Sequence, residues 1–154
     1  MSFSALVVVG DAQGRVGYGR GRGKGISTAI AKATASATKD MRMIQMHRST
    51  IPHDLRYSRG STTAIILPLP AGRGIIAGKS ARSVFQAAGI QDVCCKIHGS
   101  TNPSNVVRTV IQALQSLRSI FYYARKRDLS VQDLVPSIGS RESQILDKVE
   151  VQDV

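Results

Sequence analysis

Nineteen of the 21 Lys and Arg residues fall in the first 127 positions, where they meet only 4 Asp and Glu. That stretch therefore carries +15, whereas residues 128–154 carry −4. A folded body with such an excess repels itself, and a soluble chain of this kind is matched best by a polyanion, with nucleic acid foremost. A membrane surface also attracts cations. However, no apolar run approaches the roughly 18 residues needed to cross a bilayer, and no long helix sets a basic face against Trp, Phe and Leu. The 154 residues amount to one ordinary domain or two small ones. With 5% aromatic residues and no Trp, the core is expected to be Ala, Val, Ile and Leu.

The pattern along the chain is α+β. Residues 3–9 read as a strand, 10–14 as a turn, and 15–20 as a returning strand in which Val16 and Tyr18 alternate with small or charged neighbours. Residues 19–25 alternate four glycines with Arg20, Arg22 and Lys24, and are expected to form a flexible, positive loop. Ser27 is the expected cap of a helix running to about Met46, with Ile30, Ala33, Ala37, Met41 and Ile44 on its apolar face. A polar stretch broken by Pro52 separates this module from a second. There, residues 51–58 and 61–68 read as strands, 71–78 as a glycine-rich passage, and 80–88 as a helix stopped by Gly89. A short strand over 92–97 follows. Asn102 and Pro103 then open a helix to about Arg118, with Val106, Val110, Ile111, Leu114 and Leu117 inward. Residues 122–127 and 131–135 suggest further helical turns, and residues 137–154 form an acidic tail.

Enzyme chemistries fit poorly. Gly78-Lys79-Ser80 ends like a phosphate loop, but the position that needs glycine holds Arg73. Residues 19–25 lack the acid about 20 positions on that would hold a dinucleotide ribose, since Asp40 falls within the expected helix. No nucleophile elbow is present, and six of the ten acids crowd into the last 27 residues. Cys94 and Cys95 are adjacent, so they make a strained disulfide partnership and suit a reducing compartment. Together with His98, His47 and His53 they lack zinc spacing, so no metal and no cofactor is expected. No secretory leader is expected either.

Phosphate binding remains. Arg20, Arg22 and Lys24 precede a helix start, Lys32 lies further along that helix, and Arg73, Lys79 and Arg82 repeat the cation-glycine chemistry in the second module.

The order of motifs resembles the bacterial-type small-subunit ribosomal protein S-five family. The matching runs are Phe3-Ser4-Ala5-Leu6-Val7-Val8-Val9-Gly10-Asp11, Gly14-Arg15-Val16-Gly17-Tyr18-Gly19, Ala29-Ile30-Ala31-Lys32-Ala33, Thr50-Ile51-Pro52-His53, Gly74-Ile75-Ile76-Ala77-Gly78, Ala88-Gly89-Ile90 and Gly99-Ser100-Thr101-Asn102-Pro103. The resemblance implies a double-stranded-RNA-binding-like domain over 1–50, truncated by its first strand, then a ribosomal S-five C-terminal-type β-α-β-α domain over 51–136. It implies a non-enzymatic constituent of the small ribosomal subunit. Such a protein binds small-subunit rRNA near the side where mRNA enters, neighbours the S-four and S-eight families, and supports translation accuracy. On this basis Arg15, Arg20, Arg22, Lys24, Lys32, Arg73, Lys79, Arg82, Ser100 and Asn102 are the expected RNA-binding residues.

Three departures accompany the resemblance. The family's preceding strand and basic glycine-rich loop, associated with spectinomycin resistance, are absent before Phe3. Gly-Arg-Gly-Lys-Gly stands where bacterial members usually have Lys-Ala-Arg-Glu-Val. The acidic tail is not a common feature. This divergence favours a mitochondrial matrix over a bacterial cytoplasm. The rival reading is a free-standing RNA chaperone or double-stranded-RNA-binding protein.

Overall fold

The β-branched run Val7-Val8-Val9 lies in strand β1 (Phe3–Gly10), which pairs antiparallel with β2 (Arg15–Gly23) in a register that sets Leu6 opposite Arg20 and Gly10 opposite Val16. This computed structural model describes residues 1–134; the acidic tail and Val135 lie outside them. In the turn between the strands, the Asp11 carboxylate accepts the amides of Gln13 (2.8 Å) and Arg15 (3.1 Å). The Gln13 amide foremost holds this carboxyl below its ordinary value.

Strand β2 continues through the tract expected to be a flexible loop. The reason lies on its far side. Gly17, Gly19, Gly21 and Gly23 recur with the strand period of two, so all four face helix α1 (Ile26–Lys39). A Cβ on Gly17, Gly19 or Gly21 would run into the carbonyl oxygens of Ala37, Ala33 and Ala29 respectively. Those three alanines are the buried residues of α1. Helix backbone thus lies directly on strand backbone, an approach open only to glycine.

Helix α1 also differs from expectation at both ends. Gly25, extended at φ −122° and ψ 157°, occupies the cap position without a side-chain bond, so Ser27 is not the cap. The helix stops at Lys39, and β3 (Arg42–Met43) pairs antiparallel with Arg15 and Val16, giving the sheet order β1-β2-β3. Ile44 is buried in the main core, where its amide donates to the Gly14 carbonyl at 2.7 Å. Met41 and Ile44 therefore extend the apolar pattern past the helix end, and Ile30 is 47% exposed.

The second sheet has the order β4-β5-β7-β6. Strands β4 (Leu55–Arg59), β5 (Thr62–Pro68) and β7 (Val93–Gly99) are antiparallel neighbours, and β6 (Ile75–Ile76) runs parallel to β7. The strand expected from residue 51 begins only at Leu55. Ile51 is buried ahead of it in the core. The short β6 lies within the expected glycine-rich passage. Helix α2 (Lys79–Ala88) ends at Gly89 in the left-handed conformation (φ 87°), as the glycine stop predicts. Helix α3 (Pro103–Gln115) is capped by Asn102, whose side-chain oxygen accepts the Ser104 amide at 3.1 Å.

Phe85 of α2, Ile66 and Val93 of the sheet, and Val110, Ile111 and Leu114 of α3 are buried in one core that also takes Val16 and Ile44. The hairpin turn docks on the end of α2, where the amides of Ala12 and Gly14 donate to the carbonyls of Ala87 (3.0 Å) and Ala88 (2.9 Å). Arg108 of α3 donates from Nε to the Tyr18 hydroxyl at 2.7 Å, with its guanidinium 5.8 Å from the ring centre. Both sheets thus belong to one compact unit, Met1–Leu117. Beyond it, Ser119 caps α4 (Ile120–Arg127), and α5 (Val131–Leu134) follows.

Residues 71–78 are pinned from within. The Asp92 carboxylate is 4% exposed and accepts the Ser49 hydroxyl at 2.6 Å and the Gly74 amide at 2.9 Å. The Ser49 hydroxyl is the main cause of its lowered pKa, with the Gly74 amide next.

Two outcomes are expected. Gly21→Ala lowers stability by about 1–3 kcal/mol in urea denaturation, through forced overpacking against α1, whereas the exposed Arg22→Ala stays within about 0.5 kcal/mol. Because the folded-state pKa of Asp92 lies below the ordinary 3.8, its ionised form stabilises the fold above that pH. This contribution is lost as pH falls through the folded value. The stability gap between wild type and Asp92→Asn should therefore be widest near neutrality and narrow in acid; a constant gap would remove the carboxylate from this role.

Candidate nucleic-acid interface

The alternation that buries the glycines of β2 turns its even-numbered residues the other way. Val16 reaches the core, Tyr18 meets Arg108, and beyond them Arg20 and Arg22 are exposed. Their cross-strand partners are Leu6 and Ser4. Arg20 and Arg22 thus project from a paired strand, on the face opposite α1. Lys24 follows in the short turn before α1 and is exposed. Arg15 shares the parity of the glycines, and Lys32 is exposed on α1. Both lie on the helix side of the first sheet, away from Arg20 and Arg22.

A shallow depression of about 580 Å³ opens beside β1. Leu6 and Val8 line one wall, Lys79, Ser80 and Ser83 of α2 another, and Pro103 of α3 a third. The first turns of two helices therefore reach the same hollow. Helix N-termini present amides without helical partners and the positive end of the backbone dipole, an arrangement suited to phosphate. Helix α2 has Gly78 at its cap, no side-chain cap bond and no acid in its first turn. Its positive end is thus offset by neither. Arg20, cross-strand from Leu6, belongs to the same face of the hairpin. The fold accordingly brings Lys79 and the start of α3 to one hollow, although they are far apart in sequence, and sets Arg20 on the hairpin face that carries the Leu6 wall.

The remaining expected residues have other attachments. Arg73 is exposed in the loop tied to Asp92, so glycines there serve an internal carboxylate. Arg82 donates to the Ile75 carbonyl at 3.0 Å, which fastens α2 to β6. The half-buried Ser100 accepts the Asn102 amide on its hydroxyl (3.4 Å), and Asn102 spends its side-chain oxygen on the Ser104 amide. These two shape the entrance to α3. Arg108 carries no signal in the sequence, because an isolated cation on an otherwise uncharged helix means little until its partner, Tyr18, is placed beside it.

Cys95 is buried, and burial foremost pushes its thiol up to about 12. It is a neutral, unreactive core residue. Among the described residues, no helix is long and apolar enough to cross a membrane.

Comparisons with known proteins join these observations. The family model for the N-terminal domain of ribosomal protein S5 matches residues 1–45, and that for its C-terminal domain matches residues 58–127. The small ribosomal subunit protein uS5 of Francisella tularensis subsp. novicida (strain U112) is 43% identical over 134 residues, covering 87% of this chain and 81% of that protein. The same-named protein of Aquifex aeolicus (strain VF5) is 45% identical over 134 residues, or 87% of this chain and 64% of its own length. With both domains matched in order and identity of this level across most of its length, the chain belongs to the ribosomal protein S5 family.

Proposed function

We propose that the chain is a structural constituent of the small ribosomal subunit that binds small-subunit rRNA and catalyses no reaction. The single observation that carries this reading is the family membership, since the relatives are named as small-subunit proteins. The +15 of residues 1–127 supports it from independent ground, because a body so charged needs phosphate around it.

The first rRNA contact is the face bearing Arg20, Arg22, Lys79 and the start of α3 at Asn102, with Lys24 at its margin. Strand and helix ends hold these groups in place, so docking orders little beyond the side chains themselves. Arg15 and Lys32, on the α1 side, meet a separate stretch of RNA, and Arg73, Arg82 and Ser100 border the loops of the second sheet. The domains divide as 1–50, 51–136 and the acidic 137–154, whose Glu142, Asp147, Glu150 and Asp153 dock on a basic neighbour. Neighbours of the S-four and S-eight families, with mRNA close by and a contribution to decoding accuracy, complete the reading. The mitochondrial placement rests on the departures from the family pattern, and the bacterial relatives give it no support.

Two measurements test this. Replacing Arg20, Arg22 and Lys24 together with Ala should weaken rRNA binding and reduce the slope of log K against log salt by roughly 0.7–0.9 for each phosphate no longer neutralised. An unchanged slope rejects the assignment. In a native lysate, the chain should sediment with the small subunit through salt that strips loosely held cations; a chain that runs free at the top instead favours the RNA-chaperone reading.

A further inference from the structure

Helix α4 carries a side-chain cluster that the first contact surface leaves unused. Tyr122 is 45% exposed and stands edge-on to Tyr123, with ring centres 5.3 Å apart and planes at 86°. Arg118, just ahead of the helix cap, and Lys126, on the helix, lie four residues before and after it, with their charged atoms over its ring at 5.8 and 5.9 Å from the centre. Tyr122, Arg125 and Lys126 share an open depression of about 520 Å³ with Ser119 and Phe121. Residues 118–127 hold four cations and no acid.

An exposed aromatic ring braced by a second ring and set among cations has two kinds of attraction to offer at once. The ring offers a stacking surface, and the cations offer phosphate pairing. A duplex can use only the second, because its base faces are covered by their neighbours. An acidic protein segment can likewise use the cations but has no flat π surface for the ring. An unpaired nucleotide strand uses both. We propose that the face of α4 formed by Tyr122, Arg125 and Lys126 binds an unpaired stretch of RNA, with one base stacked on Tyr122 and the flanking phosphates paired with the two cations. This rests on the RNA-binding reading above, yet it uses a different element from the surface around Arg20 and Lys79. The edge-on Tyr123 packs against the ring, and a stacking base takes the place of Lys126 over it, moving that cation toward a flanking phosphate.

The full chain is titrated with a short single-stranded RNA carrying a fluorescent adenine analogue and, separately, with a blunt RNA duplex. Stacking should quench the analogue. Tyr122→Leu should remove the quenching and weaken single-strand binding about ten-fold, whereas Tyr122→Phe, which keeps the ring, should preserve both. Duplex affinity should be the same in all three proteins. Single-strand affinity and quenching that survive Tyr122→Leu overturn the proposal while leaving the duplex-binding surface intact. A variant with wild-type RNA binding that no longer joins the small subunit makes the face a protein contact and overturns it too. A wild-type chain that binds neither RNA removes the underlying RNA-binding reading as well.

Discussion

The close approach of α1 to β2 governs the first sheet. Glycines at alternate positions of the strand admit the backbone of a helix whose buried residues are all alanine, so no side chain separates the two elements. A strand has only two faces. Once positions 17, 19 and 21 must be glycine, with Gly23 continuing the alternation, charge in that stretch falls on the even positions. Arg20 and Arg22 occupy those positions and are turned away from α1. The residue pattern that seats the helix is therefore also the one that aims the cations, and neither role can be altered by a one-residue register slip without losing the other.

The joint between the sheets decides what those cations sit beside. The hairpin turn hangs from the last carbonyls of α2, while Arg108 reaches from α3 to Tyr18. A Cβ on Gly10 would strike Ala87, and one on Gly89 would strike Ala12, so the two backbones touch at this corner as closely as α1 and β2 do. With the C-terminal end of α2 held there, its N-terminal end lies along the hairpin and opens on the hollow walled by Leu6 and Val8. The electrostatics of that hollow depend on packing at the far end of the same helix.

Much of this is legible from local chemistry. Gly89 and the Asn102-Pro103 pair predict helix boundaries because each satisfies a backbone need that few other residues meet, and α2 and α3 end and begin there. Residues 19–25 are harder. Glycine signals both a loop and a close contact, and its partner surface, Ala29-Ala33-Ala37, has no special mark in an alanine-rich stretch. The strict alternation is itself the strand period, yet only the facing helix gives it that meaning. The overlong helix has a similar source, since Met41 and Ile44 continue the three- and four-residue rhythm while the chain has already turned into β3. The Asp92 tie and the hollow beside β1 join residues far apart in sequence, so no local pattern announces them.

Placing cations on a paired strand rather than a loose loop changes what they can do. A loop gathers counterions wherever phosphate approaches and must then be ordered, at a cost of about 1–2 kcal/mol for each backbone residue fixed. A strand has met that cost on folding, so Arg20 and Arg22 lose only side-chain freedom when they engage an anion. On the proposed rRNA contact, the same rigidity restricts the partner: phosphates would have to match the pitch of the hairpin and the positions of the α2 and α3 ends together. So used, a surface of this kind would select a shape of folded RNA over bulk polyanion, which is the discrimination a protein with so large a positive charge requires.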